Sequence, residues 1–114
     1  RAGIPVPGRV QGKSLVPFFR GEAPGAWRTD WYFEHLFRHP RIPRSVGTRA
    51  DDGWTYIRWI DFPEPVEELY DRNADPHQAR NLAGDPAFRD RLAVMRARCD
   101  ELRTMIPASS RTEY

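Results

Sequence analysis

The 114 residues hold a single cysteine, Cys99, and a single lysine, Lys13. One thiol excludes an internal disulfide, so packing and hydrogen bonds must hold whatever fold forms. No apolar run approaches the ~20 residues that a membrane-crossing helix needs, so no membrane partner is expected. Net charge is scarce as well: 18 basic side chains against 16 acidic ones leave +2. That is no polyanion-binding signature. No helix-turn-helix, zinc-ligand or RRM pattern accompanies it, and nucleic acid is not expected as a partner. Acids are missing altogether from His35 to Ala50, where Arg38, Arg41, Arg44 and Arg49 stand with His35 and His39. From Asp61 to Asp75 the balance reverses, with six acids against Arg72 alone. Opposed runs of this kind neutralise each other across a sheet or simply face water. The sharper alternative is that the basic run helps to hold an anion.

What is present suits one globular domain: 39% of residues are hydrophobic and 12% aromatic. The prolines and glycines gather in the first 65 residues, which should be rich in loops. The chain opens within an extended Ile4-Pro5-Val6-Pro7 segment, as a piece cut from something longer would. Ser14 to Gly21 suggests one or two helical turns, with Ser14 as N-cap and Gly21 as terminator. Trp31–Phe37 and Ser45–Ala50 read as strands, separated by a loop pinned by Pro40 and Pro43. Asp51-Asp52-Gly53 is a hairpin signal, because glycine accepts the positive φ of a tight turn. Trp54–Ile60 follows, apolar on both faces as a central strand would be, and Glu68–Asp71 gives a fourth strand. Asp85 then caps a helix, with Pro86 at its first position. Phe88, Leu92, Met95, Cys99 and Leu102 recur at helical spacing and mark one buried stripe that ends near Thr104. The expected fold class is α+β: about four short antiparallel strands in one sheet against a long C-terminal helix, a two-layer sandwich.

Three stretches, in order, resemble the C-terminal end of type I, formylglycine-dependent sulfatases. Gly12-Lys13-Ser14-Leu15-Val16-Pro17-Phe18-Phe19-Arg20-Gly21 is similar to the family's G-[KR]-S-L-x-P-L-L-x-G. Gly47-Thr48-Arg49 leading into Trp54-Thr55-Tyr56-Ile57-Arg58 resembles its G-x-R-T…K-Y-I strand pair, with Thr55 in place of lysine. Residues 68–83, Glu-Leu-Tyr-Asp-Arg-Asn-Ala-Asp-Pro-His-Gln-Ala-Arg-Asn-Leu-Ala, resemble E-L-Y-D-L-x-x-D-P-x-E-x-x-N-L-A. The nearest subgroup in pattern is that of N-sulphoglucosamine sulphohydrolase and arylsulfatase-like enzymes. The resemblance implies three regions: an arm and linker over 1–26, the C-terminal subdomain over 27–106 and a flexible tail over 107–114.

The resemblance also implies a calcium ion and a formylglycine in the parent enzyme, which would be periplasmic or secreted. Neither group has a place in this chain. Cys99 is followed by Asp100-Glu101-Leu102-Arg103, so the C-x-P-x-R segment is absent, and its place on the helical stripe marks it as core. No acidic cluster has the spacing of a calcium loop. The chain alone is therefore expected to be non-catalytic, with the parent's catalytic domain as its partner. In the family the corresponding loop tends to reach toward substrate, which makes His39, Arg41, Arg44, Glu34 and His35 candidates for contact with a sulfated sugar. Arginine suits such oxyanions through its paired donors. Glu34 and His35 alternate along a strand, so only one can face the side of the His39 loop. The bland alternative is that these side chains anchor the subdomain on its catalytic partner. A different class of function is a free-standing module that binds sulfated glycans, with Trp27, Trp31, Tyr32, Trp54 and Trp59 beside the arginines. The uncovered sheet face is expected to drive self-association of an isolated chain, or to take the arm of Ile4, Val6, Leu15, Phe18 and Phe19 as its cover.

Overall fold

The computed structural model describes residues 5, 7, 8, 10, 12–22, 25 and 27–106. Ile4, Val6 and the tail from 107 lie outside them. In chain order the elements are α1 (Val16–Phe19), β1 (Asp30–His35), β2 (Ser45–Ala50), β3 (Trp54–Trp59), β4 (Val66–Asp71), a 3-10 turn (Pro86–Phe88) and α2 (Arg89–Thr104). The strands form one antiparallel sheet in the order β1-β2-β3-β4, so β3 is interior as its two apolar faces require.

The hairpin between β2 and β3 turns at Gly53, whose φ of +104° only glycine adopts without strain. A Cβ there would also strike the Asn73 amide. That amide donates to the Asp52 carbonyl at 2.9 Å, and Arg72 N–H donates to the Gly53 carbonyl at 3.0 Å. The hairpin and the turn after β4 are thereby tied together.

Period-two alternation along the paired strands puts Val46 and Thr48, Tyr56, and Leu69 on one face. α2 crosses this face and buries Leu92, Met95 and Cys99 against it, while Leu82 closes the side. Each such aliphatic burial contributes roughly 1.5–3 kcal/mol. Ion pairs fasten the helix to the sheet and to its β2–β3 turn, among them Arg96–Glu67, Arg98–Asp30, Arg58–Asp100 and Arg91–Asp52. Beyond β4, Asn81 bonds its outer edge: Oδ1 accepts from Leu69 N–H at 3.0 Å and Nδ2 donates to the Glu67 carbonyl at 3.1 Å. This is the physical content of the Asn-Leu-Ala end of the third motif. It satisfies backbone groups that an edge strand would otherwise leave to water.

Several boundaries differ from those the sequence suggests. Leu36 and Phe37 leave β1 because β2 begins at Ser45, opposite His35. β4 starts two residues early, at Val66, which pairs with Trp59. Asp85 does cap: its Oδ1 accepts from Ala87 N–H at 3.0 Å. The first turn is nevertheless 3-10, because Phe88 N–H bonds the Asp85 carbonyl three residues back. In α1 the N-cap is Leu15, one position later than expected, and the Ser14 hydroxyl still accepts from Val16 N–H at 3.3 Å. Gly21 ends that helix at φ +71°.

The other sheet face carries Trp31 and Phe33, Arg49, Ile57 and Trp59, and Tyr70. α1 builds no layer on it: Phe18 meets Trp27 edge to face at 4.7 Å, and Leu15 and Phe19 are exposed.

Candidate functional site

The connection from β1 to β2 is the basic loop, and short-range constraints shape it. Pro40 and Pro43 restrict the backbone. Ile42 N–H donates to the His39 carbonyl at 3.2 Å, which closes a tight turn. Arg41 N–H donates to His39 Nδ1 at 3.2 Å, leaving Nε2 as the ring nitrogen that can donate outward. Phe37 stacks on the same imidazole, with centroids 6.5 Å apart and planes 26° from parallel.

The loop is clamped where it enters β2. Arg44 N–H donates to Asp61 Oδ2 at 2.7 Å, and its guanidinium donates to Oδ1 from Nε at 2.8 Å and from Nη2 at 2.5 Å. Ile60 N–H donates back to the Arg44 carbonyl at 2.9 Å, so the β2–β3 ladder gains one more rung. The clamp holds the Asp61 carboxyl below its ordinary range, chiefly through the Arg44 side-chain bonds. The basic run and the acidic run thus meet at this one pair. A shallow cleft of about 430 Å³ opens beside it, lined by Arg38, His39, Pro40, Arg44 and Asp61.

The five residues singled out in the sequence fall into different places. His39 and Arg44 line the cleft, but the Arg44 side chain is only 13% exposed and committed to Asp61. Arg41 is exposed on the turn and forms no ion pair among the described residues. Glu34 lies on the helix side of β1 and accepts from the Tyr32 hydroxyl at 3.0 Å, and His35 lies on the opposite side, as alternation demands. Neither lines the cleft. Arg38 lines it without having been singled out; its membership of an acid-free run was the available signal.

Among the described residues no group of three His, Cys, Asp or Glu side chains could hold a metal ion. Burial pushes the Cys99 thiol up to about 11, so it is neutral at ordinary pH. Among the described residues, then, no such group offers a calcium site, and Cys99 lacks the C-x-P-x-R context of a formylglycine precursor.

Residues 1–105 match the family described as N-sulphoglucosamine sulphohydrolase, C-terminal. The chain belongs to this sulfatase C-terminal family. The N-acetylglucosamine-6-O-sulfatase of Bacteroides thetaiotaomicron is 33% identical to this sulfatase domain over 94 residues, which is 76% of the chain and 16% of the relative. The Delta 4,5-hexuronate-2-O-sulfatase of the same organism is 34% identical over 109 residues, 88% of the chain and 20% of the relative. A solved 2-O GAG sulfatase superposes with a TM-score of 0.76 at 31% identity, over 90% of this chain and 22% of that one. The domain thus spans no more than about a fifth of the curated relatives it matches. Its four-stranded antiparallel sheet and C-terminal helix are the α+β architecture that the strand and helix patterns of the sequence suggest.

Proposed function

We propose that this domain completes a sulfatase of sugar sulfates, and that its 36–43 loop forms one wall of the parent's substrate pocket. The observation that carries the reading is the clamp. Arg44, held by Asp61, serves as an anchor, and it fixes a turn that presents His39 Nε2 and the Arg41 guanidinium outward, with Arg38 in the cleft beside them. Such an array suits sulfate oxygens or a uronate carboxylate. Two relatives at similar identity are named for 6-O- and 2-O-sulfated sugars, in keeping with this substrate class. Formylglycine and calcium belong to the parent's catalytic part, and no residue of this chain acts through either.

The test is a pair of substrates offered to the parent enzyme. His39→Ala and Arg41→Ala should each lower kcat/KM on a sulfated disaccharide about tenfold to hundredfold, the worth of a charged hydrogen bond. A small aryl sulfate, too short to reach the loop, should be turned over unchanged. Equal losses on both substrates, or none on either, would remove the loop from the pocket wall.

One observation favours a second reading, the free-standing glycan-binding module. Trp27, Arg28, Trp31 and Asp51 line a hollow of about 500 Å³, which combines aromatic faces with one charge of each sign. Retention of the isolated chain on heparin at physiological salt would support it, and elution with the void would dismiss it.

A further inference from the structure

The cleft beside the basic loop is not uniformly basic. Its lining holds two guanidiniums, Arg38 and Arg44, and one carboxylate, Asp61. Its imidazole, His39, accepts Arg41 N–H at Nδ1, 3.2 Å away. A ring that accepts at one nitrogen is the uncharged form, with its proton on the other. Two positive charges against one negative leave the lining at a net +1. Arg41, Glu34, His35 and Glu64, the last three residues beyond Asp61, lie outside the lining.

The carboxylate is the unexpected member. In the wall of an anion subsite it repels the ligand and cancels a cation. Asp61 is nevertheless open to the cleft, with its side chain 36% exposed against 13% for Arg44. Both of its oxygens are occupied: Oδ2 accepts the Arg44 backbone N–H, and Oδ1 accepts Nε and Nη2 of the guanidinium. Asp61 thus fixes the start of β2 and also withdraws Arg44 from any ligand. Arg38 feels the charge of Asp61 but forms no ion pair among the described residues. An asparagine could accept the backbone bond; what the carboxylate adds is a second acceptor and a charge.

We infer that Asp61 is a specificity-determining residue: by cancelling Arg44 it tunes the cleft to one singly charged oxyanion of the substrate and against a dianion. The accepted group is a carboxylate, or a sulfate ester other than the one cleaved; the rejected group is one such as a phosphate monoester. This rests on reading the 36–43 loop as a wall of the parent's pocket, and adds the charge that the wall accepts. A carboxylate or a sulfate ester carries one negative charge and balances the lining. A phosphate monoester carries about −1.5 to −2 at pH 7 and brings an excess of negative charge beside Asp61. Like-charge juxtaposition of this kind selects by repulsion as well as by attraction.

The test uses the parent enzyme and four disaccharides with the same scissile sulfate. They differ in one further group: a hydroxyl, a carboxylate, a sulfate ester or a phosphate monoester. The readout is the ratio of kcat/KM values within one enzyme, which a general loss of folded protein leaves unmoved. The native enzyme should favour a monoanion over the hydroxyl and over the phosphate by about tenfold each, and the monoanion that leads names the group. Asp61→Asn takes the lining to +2 and should raise the phosphate-to-monoanion ratio about tenfold. Asp61→Glu keeps the charge and should keep the native ratio even where its rates fall. Arg44→Gln takes the lining to zero and should remove the preference for a monoanion over the hydroxyl, which keeps the test open if Asp61→Asn does not fold. An unchanged ratio in Asp61→Asn, or an equal shift in Asp61→Glu, would overturn the inference. The loop would still belong to the pocket wall if His39→Ala lowered turnover of the disaccharides alone. Four disaccharides turned over alike by the native enzyme would remove both readings.

Discussion

Tyr56, Glu67 and Arg96 show at the residue scale how this small core tolerates polarity. Tyr56 is fully buried, and its hydroxyl donates to Glu67 at 2.6 Å. Arg96 donates to both oxygens of the same carboxylate, at 2.7 and 2.6 Å. The Arg96 bonds hold Glu67 below its usual range, against the opposing effect of burial, with Tyr56 adding to the pull. A carboxyl whose folded pKa is depressed stabilises the fold above its unfolded value and loses that contribution as pH falls through the folded one. Glu67→Gln should therefore cost more stability at pH 7 than at pH 3, read as the shift in urea midpoint at each pH. A gap that stays constant across that range would mean the charge contributes nothing. Cys99 makes the complementary case. Its buried thiol, raised to about 11, should resist alkylation in the native chain at pH 8 and react on unfolding. Rapid native labelling would place it on the surface. The composition already pointed to this residue as core, because the stripe it sits on is helical and no C-x-P-x-R follows it. The Tyr56–Glu67–Arg96 triad was not legible, since Glu67 and Arg96 stand 29 positions apart and only the fold brings them together.

Elements were legible where a local rule governs them and blurred where a neighbour does. Gly53 announced the hairpin, and the four-three spacing announced α2. The start of α2 was blurred, because Phe88 N–H bonds Asp85 and its ring lies 5.8 Å from Trp54, a contact no local pattern encodes. The helix face can be tested directly. Leu92→Ala should cost about 2–5 kcal/mol, as a truncation in a packed core does. Val94→Ala, at 57% exposure, should stay within about 0.5 kcal/mol. Equal small costs at both positions in thermal or urea unfolding would put the wrong face against the sheet. Arg91 is a poor surface control, because its guanidinium lies 4.9 Å over the Trp54 ring and pairs with Asp52. The site element divides in the same way. The acid-free run flagged the loop, but the commitment of Arg44 to Asp61 depends on β2 and β3 being neighbours.

At the scale of the whole molecule the described residues form a two-layer unit, with α2 roofing one sheet face and no described element layered on the other. The domain holds a basic loop at one end of the sheet, clamped by Arg44 and Asp61. Among the described residues no group of three His, Cys, Asp or Glu side chains could hold a metal ion. The central claim is that such a unit contributes to a sulfatase without being one. Sulfate release from a sulfated disaccharide, measured at equal molarity for the parent protein and for the 114-residue chain, tests it most directly. The account predicts turnover by the parent and none by the chain, with calcium or without. Turnover by the purified chain, abolished in a Cys99→Ala variant, would contradict it.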